Sequence, residues 1–395
     1  MPNDTEINDL HPKKGIAVQK KKLVRIGLVG AGFMGRCHAN AFRSVGGLFD
    51  LPVEVVPALL ADVNQESAQK NAALLGFERA TADWRDVCSD ASIDIVAITA
   101  PNALHEPIAM AAIAAGKDVY CEKPLSTTVK SARKMTEAAE KAGVVTSVGF
   151  NYLRNPMLAL AHSIIKSGEI GKVIGFRGRH AESYMCDPDA PHSFRTDAEG
   201  GGALADIGSH ILSIARYLVG PIVDVSADCH TAHADRPVRA GAKERKPVVI
   251  DDITNALLKF ENGAVGGIEA TWVAYGRQMD LSFEVSGEKG AIVFSQERMN
   301  ELLVTVAGAK PGREGFTRIE SGPAHPPYAH FTPAGGHHLG FNDLKVIEVA
   351  ELLSAHATRG RCSPDFREAL EIQKCVEAMQ ASSRGRTWVK VASAA

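Results

Sequence analysis

Residues 23–35 read LVRIGLVGAGFMG, and this stretch decides the fold. A short run of mostly apolar, branched residues ends in the pattern GxGxxG, formed by Gly30, Gly32 and Gly35, and a helical stretch follows. In this pattern the first glycine permits a tight turn, the second lets the backbone approach a pyrophosphate, and the third lets the helix pack closely on the strand. The N–H groups at the helix N-terminus supply donors for the anion. The stretch therefore predicts a strand, a glycine turn and a helix that bind a dinucleotide.

Strands and helices alternate from this turn to about residue 150. We predict buried strands at 23–29, 53–61, 93–99, 119–121 and 144–149, and helices at 33–45, 65–75, 105–115 and 127–142. This alternation is typical of an α/β domain with a doubly wound parallel sheet.

The pattern changes after residue 150. Helical periodicity marks 156–166, 203–219, 341–357 and 365–382, and strand-like runs at 222–229, 252–260, 264–272, 279–285 and 291–294 are separated by close turns. Close turns between strands predict an antiparallel sheet. We therefore divide the chain into a flexible extension (1–21), a dinucleotide-binding domain (22–150) and an α/β substrate-binding and oligomerisation domain (151–395). The last two helices could pack back on either domain, and the segment 235–250, rich in Pro, Gly and charge, is expected to be a surface loop.

Composition excludes several classes of partner. The chain has 44 basic and 46 acidic residues among 395, and this near-neutral balance favours a small-molecule ligand over nucleic acid. No apolar run approaches the ~18 residues that cross a bilayer, and residues 1–20 lack the apolar core of a signal peptide. The seven cysteines form no CxxC pair, so we expect a reducing cytoplasm and no metal site.

Asp62 ends the second predicted strand, where an acidic residue binds the adenosine ribose hydroxyls of a dinucleotide. It lies 32 residues after Gly30, farther than the usual ~20, and the loop 46–52 accounts for the difference. A carboxylate here would repel a 2′-phosphate, so NAD is favoured, with NADP as the alternative. The other interpretation of Asp62 is an N-cap of the following helix.

The tripeptide Glu122-Lys123-Pro124 follows the short strand 119–121. This position is the carboxyl edge of the sheet, where ligands bind in such folds, and Pro124 restricts the backbone of Lys123 to extended geometry. From this edge Lys123 could reach both a nicotinamide ribose and a substrate hydroxyl. The alternative is a surface lysine on a loop.

The stretch GGGALADIGSH at 200–210 carries the second chemical signal. Asp206 and His210 are four residues apart on a predicted helix, so we expect them to share one face, with the carboxylate keeping the imidazole basic. Alcohol oxidation needs such a proton acceptor, and we expect His210 to titrate between about 6 and 8.5. The alternative is an ion pair on a helix surface, but three glycines before the helix indicate close approach of a ligand or of another backbone.

With these motifs the chain resembles the glucose-fructose oxidoreductase, inositol dehydrogenase and MocA family over about residues 22–390. The resemblance rests on GAGFMG (30–35), EKP (122–124) and GGGALADIGSH, while GFNYLRNP (149–156), SFR (193–195) and SGPAHP (321–326) are most similar to the levoglucosan dehydrogenase branch. It implies an N-terminal Rossmann domain, a C-terminal α/β domain with an open, mostly antiparallel sheet, and a catalytic group formed by Lys123, Asp206 and His210. That branch commonly has an arginine where this chain has Leu153.

Two further sets of residues are candidates on this basis. The cofactor-binding set, which includes the loop expected to run along the nicotinamide half, is Gly30, Gly32, Phe33, Met34, Gly35, Asp62, Thr99, Pro101, Asn102, His105, Glu122 and Lys123. The substrate-binding set is Lys123, Tyr152, Tyr184, His192, Arg195, Asp206 and His210.

These features predict an NAD(P)-dependent oxidoreductase that transfers a hydride between a hydroxyl-bearing carbon of a sugar, anhydrosugar or polyol and nicotinamide. One alternative is a catalytically silent sugar- or dinucleotide-sensing regulator on the same fold, because fold does not fix function. Another is an NAD-dependent glycosidase, in which no net NADH accumulates. We also expect a homodimer or homotetramer, built on the open sheet of the second domain.

Overall fold

The computed structural model describes residues 21–391. The predicted flexible extension therefore lies outside the described residues, except for Lys21. In the described chain six strands form a parallel sheet in the order β3-β2-β1-β4-β5-β6, which confirms the doubly wound fold. The strands are β1 (Lys22–Val29), β2 (Val53–Ala61), β3 (Arg79–Thr81), β4 (Ile95–Ile98), β5 (Asp118–Cys121) and β6 (Thr146–Val148).

Helices connect these strands and cover both faces of the sheet. They are α1 (Phe33–Leu48), α2 (Gln65–Leu75), α3 (Trp84–Ser89), α4 (His105–Ala114) and α5 (Val129–Ala142). Local sequence sets their ends: the side chains of Asn64 and Thr128 cap α2 and α5, and Gly76 and Gly143 end these helices in left-handed conformation. The sequence pattern did not predict β3 and α3.

A second sheet holds most of the remaining strands, in the order β16-β15-β14-β13-β7-β12-β11-β8-β17. Only the pair β7–β12 is parallel in this described sheet, so the sheet is mostly antiparallel, as predicted. The strands are β7 (Val173–Ala181), β8 (Ile222–His230), β11 (Ile253–Phe260), β12 (Val265–Thr271), β13 (Asp280–Gly287), β14 (Gly290–Ser295), β15 (Glu301–Val306), β16 (Thr317–Glu320) and β17 (Val389–Lys390). A separate hairpin pairs β9 (Asp235–Pro237) with β10 (Arg245–Pro247).

One face of the second sheet is buried and the other is open. The buried face, which includes Ile268 and Ala270, packs on α6 (Pro156–Ser167), α7 (Ser209–Val219) and α9 (Phe366–Gly385). On the open face Leu257 and Val265 are 58% and 57% exposed. Period-2 alternation along the strands produces this division.

The long helix α8 (Phe341–Thr358) returns to the parallel-sheet domain. Its Val346, Val349 and Leu353 share a core with β1 and α1, whereas α9 lies between α5 and the second sheet. The domain boundary at residue 150 stays a prediction. None of the helices in residues 21–391 is long and apolar enough to cross a membrane.

Candidate active site

The glycine turn after β1 has the geometry that its sequence predicts. Gly30 has a φ of 97°, and a Cβ there would lie 2.8 Å from the carbonyl oxygen of Thr99. A Cβ on Gly35 would overlap the carbonyl oxygen of Gly30, whereas a Cβ on Gly32 would meet nothing within 4 Å. The first and third glycines are therefore required by the conformation and packing of the turn. The second faces open space, where an anion could approach the N-terminus of α1.

A cleft of about 560 Å³ extends from this turn. Every member of the predicted cofactor set except Gly35 lines it, from Asp62 at one end to Lys123 at the other. The sequence pattern missed several lining residues, and the only signal for most of them is a position just after a parallel strand or in the loop before the glycine triplet. They are Val29, Ala31, Ala61, Val63, Ala82, Trp84, Ala100, Leu104 and Phe194.

Asp62 is held by its neighbours in an orientation towards this cleft. Its Oδ2 accepts hydrogen bonds from Ser67 Oγ and Asn71 Nδ2, both at 2.7 Å, and its Oδ1 accepts from the backbone of Val63 at 2.8 Å. The N-cap of α2 is Asn64, so the interpretation of Asp62 as the N-cap is wrong. The carboxylate therefore lies on the cleft wall at the end of β2.

Lys123 and Asp206 form an ion pair at the other end of the cleft. Lys123 Nζ lies 2.7 Å from Asp206 Oδ1 and 2.6 Å from the backbone oxygen of Asp206. Arg195 Nε and Tyr184 Oη donate to Asp206 Oδ2 at 3.0 and 3.1 Å. Burial raises the pKa of Asp206, but the charges of Lys123 and Arg195 outweigh it and hold this pKa below its usual range. The carboxylate is thus ionised and fixed by three donors.

His210 lies behind this pair among aromatic rings. Its ring packs edge-on against Tyr152 at 4.7 Å and Phe150 at 5.8 Å between centroids, and His180 lies 5.6 Å away. Burial, followed by the charges of Lys123, His180 and Lys345, lowers the pKa of His210 well below its usual value. The expected titration between about 6 and 8.5 is therefore too high, and the imidazole is neutral at neutral pH.

The predicted contact between Asp206 and His210 is also wrong. The described chain has no hydrogen bond between them, because the Asp206 carboxylate is bound by Lys123, Arg195 and Tyr184. Residues Leu204–Gly208 form a π-helical turn ahead of α7. Such a turn has more residues than an α-helical turn and changes the side-chain alignment that spacing by four would give.

The glycine triplet before this turn serves contacts within the protein. A Cβ on Gly200 would overlap the side chain of Thr127, one on Gly201 the backbone oxygens of residues 195 and 197, and one on Gly202 the carboxylate of Asp251. Asp251 also accepts the N–H of Leu204 at 2.8 Å and so caps the turn that carries Asp206. Of the two predicted explanations, close approach of the protein chain itself accounts for the glycines.

Glu122 joins the cleft to a buried charge cluster that the sequence did not reveal. Its Oε1 lies 2.9 Å from Lys345 Nζ and 2.7 Å from His38 Nε2, and Lys345 also pairs with Glu348 at 2.6 Å. Burial raises the pKa of Glu122, but Lys345 and the hydrogen bond from His38 outweigh it and hold it below its usual range. The available signal was a lysine and a glutamate three residues apart in the otherwise apolar stretch LKVIEVA (344–350) of α8.

The loops around Lys123 are tied by polar contacts. His105 places its two ring nitrogens 2.8 Å from the Pro124 oxygen and 2.9 Å from the Ala100 oxygen. Asn102 Nδ2 donates to the Gly200 oxygen at 3.3 Å, which links the predicted cofactor loop to the glycine triplet. These contacts fix the end of the cleft at which Lys123 lies.

The predicted substrate residues fall into two groups. Lys123, Arg195 and Asp206 line the cleft, and Tyr184 touches Asp206 from outside it. Tyr152 contacts the ring of His210, with its hydroxyl 3.7 Å from Met279 Sδ. Tyr152, His192 and His210 are not among the cleft residues of the described chain. The Nδ1 of His192 lies 2.9 Å from Thr196 Oγ1.

Two family models match the chain. The oxidoreductase family with the NAD-binding Rossmann fold matches residues 24–150, and the GFO/IDH/MocA C-terminal domain matches residues 158–293. The chain belongs to the GFO/IDH/MocA oxidoreductase family.

Named relatives in this family act on sugars and polyols. The chain is 37% identical to the levoglucosan dehydrogenase of Pseudarthrobacter phenanthrenivorans, over 93% of this chain and 98% of the relative. It is 31% identical to the scyllo-inositol 2-dehydrogenase (NAD(+)) of Bacillus subtilis, over 73% and 78% of the two chains.

Solved structures of family members have the same fold. A levoglucosan dehydrogenase in complex with NADH and levoglucosan superposes with a TM-score of 0.90 at 38% identity, covering 94% of this chain and 100% of that chain. An NAD-binding oxidoreductase from Klebsiella pneumoniae superposes with a TM-score of 0.89 at 42% identity, covering 93% and 99%.

Proposed function

We propose that this chain is an NAD-dependent dehydrogenase that oxidises a ring hydroxyl of a sugar, anhydrosugar or polyol. The observation that carries the proposal is the Lys123–Asp206 ion pair, which closes one end of a cleft whose other parts are the glycine turn and Asp62. A cation held by a carboxylate is suited to bind a hydroxyl and to stabilise the negative charge that develops on its oxygen. The named relatives support the same class of substrate.

The described residues fit a dinucleotide. Gly32 offers open space at the N-terminus of α1 for the pyrophosphate, and the Asp62 carboxylate faces the cleft where ribose hydroxyls would lie. The Pro101 to His105 loop and Glu122 would flank the nicotinamide half. When bound, NAD supplies a carbon that accepts the hydride. The negative charge of Asp62 favours NAD over NADP, because a 2′-phosphate there would be repelled.

His210 is the proposed proton acceptor. Its lowered pKa keeps the imidazole neutral, which is the form that can accept a proton. Lys123 would hold the oxygen that loses this proton, and Asp206 would hold Lys123 in place. Arg195 and Tyr184 donate hydrogen bonds to Oδ2 of Asp206, so its other oxygen, Oδ1, is the one that pairs with Lys123.

Within this class we propose an anhydrosugar resembling levoglucosan as the preferred substrate. The similarity to levoglucosan dehydrogenase extends over 93% of the chain, whereas the similarity to the inositol dehydrogenase extends over 73%. Leu153 follows Tyr152, at a position where the levoglucosan dehydrogenase branch commonly has an arginine. We expect substrate specificity to differ from that branch at this position.

The test is a screen of purified protein with NAD and with NADP against levoglucosan, aldoses and inositols. We expect NADH to accumulate with NAD and one ring polyol, and mass spectrometry to find a product two hydrogens lighter. Cleavage of a glycoside without net NADH would favour the glycosidase instead. Binding of sugar and NAD without turnover would favour the regulator.

Two further aspects complete the proposal. We place the enzyme in the cytoplasm, which is supported by seven free cysteines, six of them buried. We also propose a homodimer or homotetramer assembled through the open face of the second sheet, where Leu257, Val265 and Ile174 are at least half exposed.

A further inference from the structure

The hairpin β9–β10 carries a buried arginine. Most of the segment 235–250 is exposed, as the sequence predicted, but the side chain of Arg236 is completely buried. Its guanidinium donates to backbone oxygens of a different segment, to Asp187 at 2.8 Å from Nη1 and to Met185 at 2.9 Å from Nη2. A buried guanidinium is costly unless it is bonded and paired, so these contacts hold the two segments together.

Asp252 supplies the counter-charge for this arginine. Its Oδ1 lies 3.7 Å from Arg236 Nη2 and accepts Trp272 Nε1 at 2.6 Å. Its Oδ2 accepts the backbone N–H groups of residues 232 and 233 at 2.8 and 3.0 Å. Four groups therefore fix the carboxylate at the start of β11, and Arg236 is anchored to the second sheet.

The segment held by Arg236 leads directly to the active site. Tyr184 immediately precedes Met185, and Arg195 lies farther along the same segment, which we call the 184–195 loop. Both side chains donate to Asp206 Oδ2. The backbone N–H of His192, three residues before Arg195, donates to the Pro237 oxygen of the hairpin at 2.8 Å. The hairpin thus holds the loop at Met185, Asp187 and His192, between the two residues that contact Asp206.

We propose that Arg236, anchored by Asp252, is a positioning residue for the substrate end of the cleft. It fixes the 184–195 loop so that Tyr184 and Arg195 hold one oxygen of Asp206 and leave the other to Lys123. The inference rests on the proposed function, since it assigns Asp206 and Lys123 to the substrate. It does not involve the glycine turn or Asp62, so loosening the loop affects the polyol and leaves the dinucleotide bound.

Arg236→Met and Arg236→Lys test this proposal, with Arg239→Met as the matched control. Arg239 is exposed in the turn of the same hairpin. We expect Arg236→Met to lower kcat/KM for the polyol by about tenfold to a hundredfold, with the larger part in KM, because displacement of positioning groups by ~1 Å has effects of this size. The Kd for NADH should stay within about twofold of the native value. Arg236→Lys, which keeps a donor and the charge, should recover part of the loss.

Hydrogen exchange provides a readout independent of activity. In both Arg236 variants the amides of residues 184–195 should exchange faster than in the native protein, while those of α7 and of β1 keep their protection. Unchanged exchange in the loop would overturn the proposal, as would equal kcat/KM in Arg236→Met and Arg239→Met. Equal loss of polyol and NADH affinity would also overturn it, because that pattern indicates a general loss of folding. If Arg236→Met does not fold, Arg236→Lys carries the same test.

A double-mutant cycle identifies the route of the effect. If Arg236 acts through the loop, combining Arg236→Lys with Tyr184→Phe should lower kcat/KM by less than the product of the two single effects. A combined effect equal to that product would show that Arg236 acts separately from Tyr184 and would refute the proposal. If the native protein oxidises no polyol, the proposed function fails, and the exchange experiment still decides whether Arg236 holds the loop.

Discussion

Lys123 is the residue on which the proposed chemistry depends most directly. Replacing it by Met removes the cation beside the substrate hydroxyl, and we expect turnover to fall by ~10²–10⁴. NADH binding should persist, because the glycine turn and Asp62 are untouched. Asp206 keeps its bonds to Arg195 and Tyr184, so its carboxylate does not become an unpaired buried charge. Kinetics and NADH fluorescence titration measure the two effects.

Lys130→Met, on the exposed surface of α5, is the control for this substitution. It should change neither quantity. Near-native turnover in Lys123→Met would mean that the ion pair with Asp206 is structural and that Lys123 has no part in catalysis.

The protonation state of His210 should determine how kcat/KM for oxidation changes with pH. Oxidation requires neutral imidazole, so kcat/KM falls where the ring becomes protonated. Because burial and neighbouring cations lower the pKa of His210 well below its usual value, the acid limb should lie below ~6.5, the ordinary pKa of histidine. The rate of oxidation should therefore be nearly constant between that value and neutrality.

Comparing the pH profile of the native protein with that of His210→Asn shows whether His210 causes the acid limb. The variant should lose about a hundredfold or more in turnover while NADH and polyol still bind. An acid limb above the ordinary histidine value, unchanged in His210→Asn, would contradict the assignment and make Lys123 the proton acceptor.

Asp62 should determine the choice of cofactor. We expect Asp62→Ala with Val63→Arg to shift the ratio of kcat/KM values towards NADP by at least about tenfold, or 1.4 kcal/mol. Val63 is 85% exposed, so an arginine fits there without displacing the core. Asp62→Asn removes the charge alone and keeps an acceptor for Ser67 and Asn71, so it should shift the ratio in the same direction by a smaller factor. Tighter native binding of NADP than of NAD would contradict this prediction.

At the level of helices and strands, the sequence predicted those elements whose hydrophobic pattern is continuous. The strand Val53–Ala61 and the helix Gln65–Leu75 have the bounds that periodicity indicates. The strand β7 was missed although it lies in the middle of the second sheet. Its sequence, VIGFRGRHA, contains two glycines and two arginines, and a Cβ on Gly178 would overlap Ile211 of α7. Tertiary packing, which local propensity does not contain, stabilises this strand.

The parts of the site that short sequence motifs specify were predictable. The parts that depend on contacts between residues distant in the chain were not. GxGxxG and EKP identified the cleft and the lysine at its end. The partner of Asp206 was misassigned because spacing by four assumes an α-helix, and residues Leu204–Gly208 form a π-helical turn. Lys345 reaches Glu122 from a helix more than 200 residues away along the chain, and no local pattern encodes that contact.

Gly202, the last glycine of the triplet, should be needed for the stability of the helical turn that carries Asp206. Gly202 has a φ of 106°, and a Cβ there would overlap the Asp251 carboxylate that caps the turn. Gly202→Ala should therefore lower the free energy of unfolding by about 1–3 kcal/mol from backbone strain, with a further loss from the displaced cap. Turnover should fall as well, because Asp206 lies four residues on.

Gly220→Ala, at the other end of the same helix, is the matched control. Gly220 has a φ of 119°, but a Cβ there would meet nothing within 4 Å. Gly220→Ala should lose stability from backbone strain alone and keep the native kcat. Chemical denaturation measures the stability, and steady-state kinetics measure kcat. Equal loss of turnover in the two variants would mean that the contact with Asp251 does not position Asp206.

On the scale of the whole molecule, buried charges join the parts that form the cleft. His38 lies on the helix of the glycine turn, Glu122 directly precedes Lys123, and Lys345 belongs to α8, far along the chain. All three residues are buried. The opposite charges of Lys345 and Glu122 offset one another, while burial lowers the pKa of His38, which therefore contributes a hydrogen bond and no charge. The C-terminal part of the chain is therefore needed to hold Lys123 at the edge of the parallel sheet.

The open face of the second sheet should be where two copies meet. Leu257 and Val265 are more than half exposed there and Ile174 is 50% exposed, and an exposed apolar patch of this kind is typical of a contact between subunits. We expect native protein at micromolar concentration to have at least twice the 42.1 kDa mass of one chain by light scattering. If a twofold axis relates the two copies, both contribute the same patch, so one substitution changes the interface at two places.

Leu257→Arg should weaken this assembly. Leu257 lies on β11 opposite Gly267 of β12, which in turn pairs with Arg177 of β7. Arg177 already uses Glu284 as its partner at 3.3 Å, so the new cation adds a second positive charge to this face of each copy. Desolvation and repulsion should raise the dissociation constant by at least about tenfold, since 1.4 kcal/mol is enough for that change. Leu74→Arg, a 59% exposed leucine on α2 in the other domain, is the control and should leave the mass unchanged. A native mass near 42.1 kDa, or equal masses in the two variants, would contradict assembly through this face, and retained NADH binding in Leu257→Arg would exclude misfolding as the cause of a smaller particle.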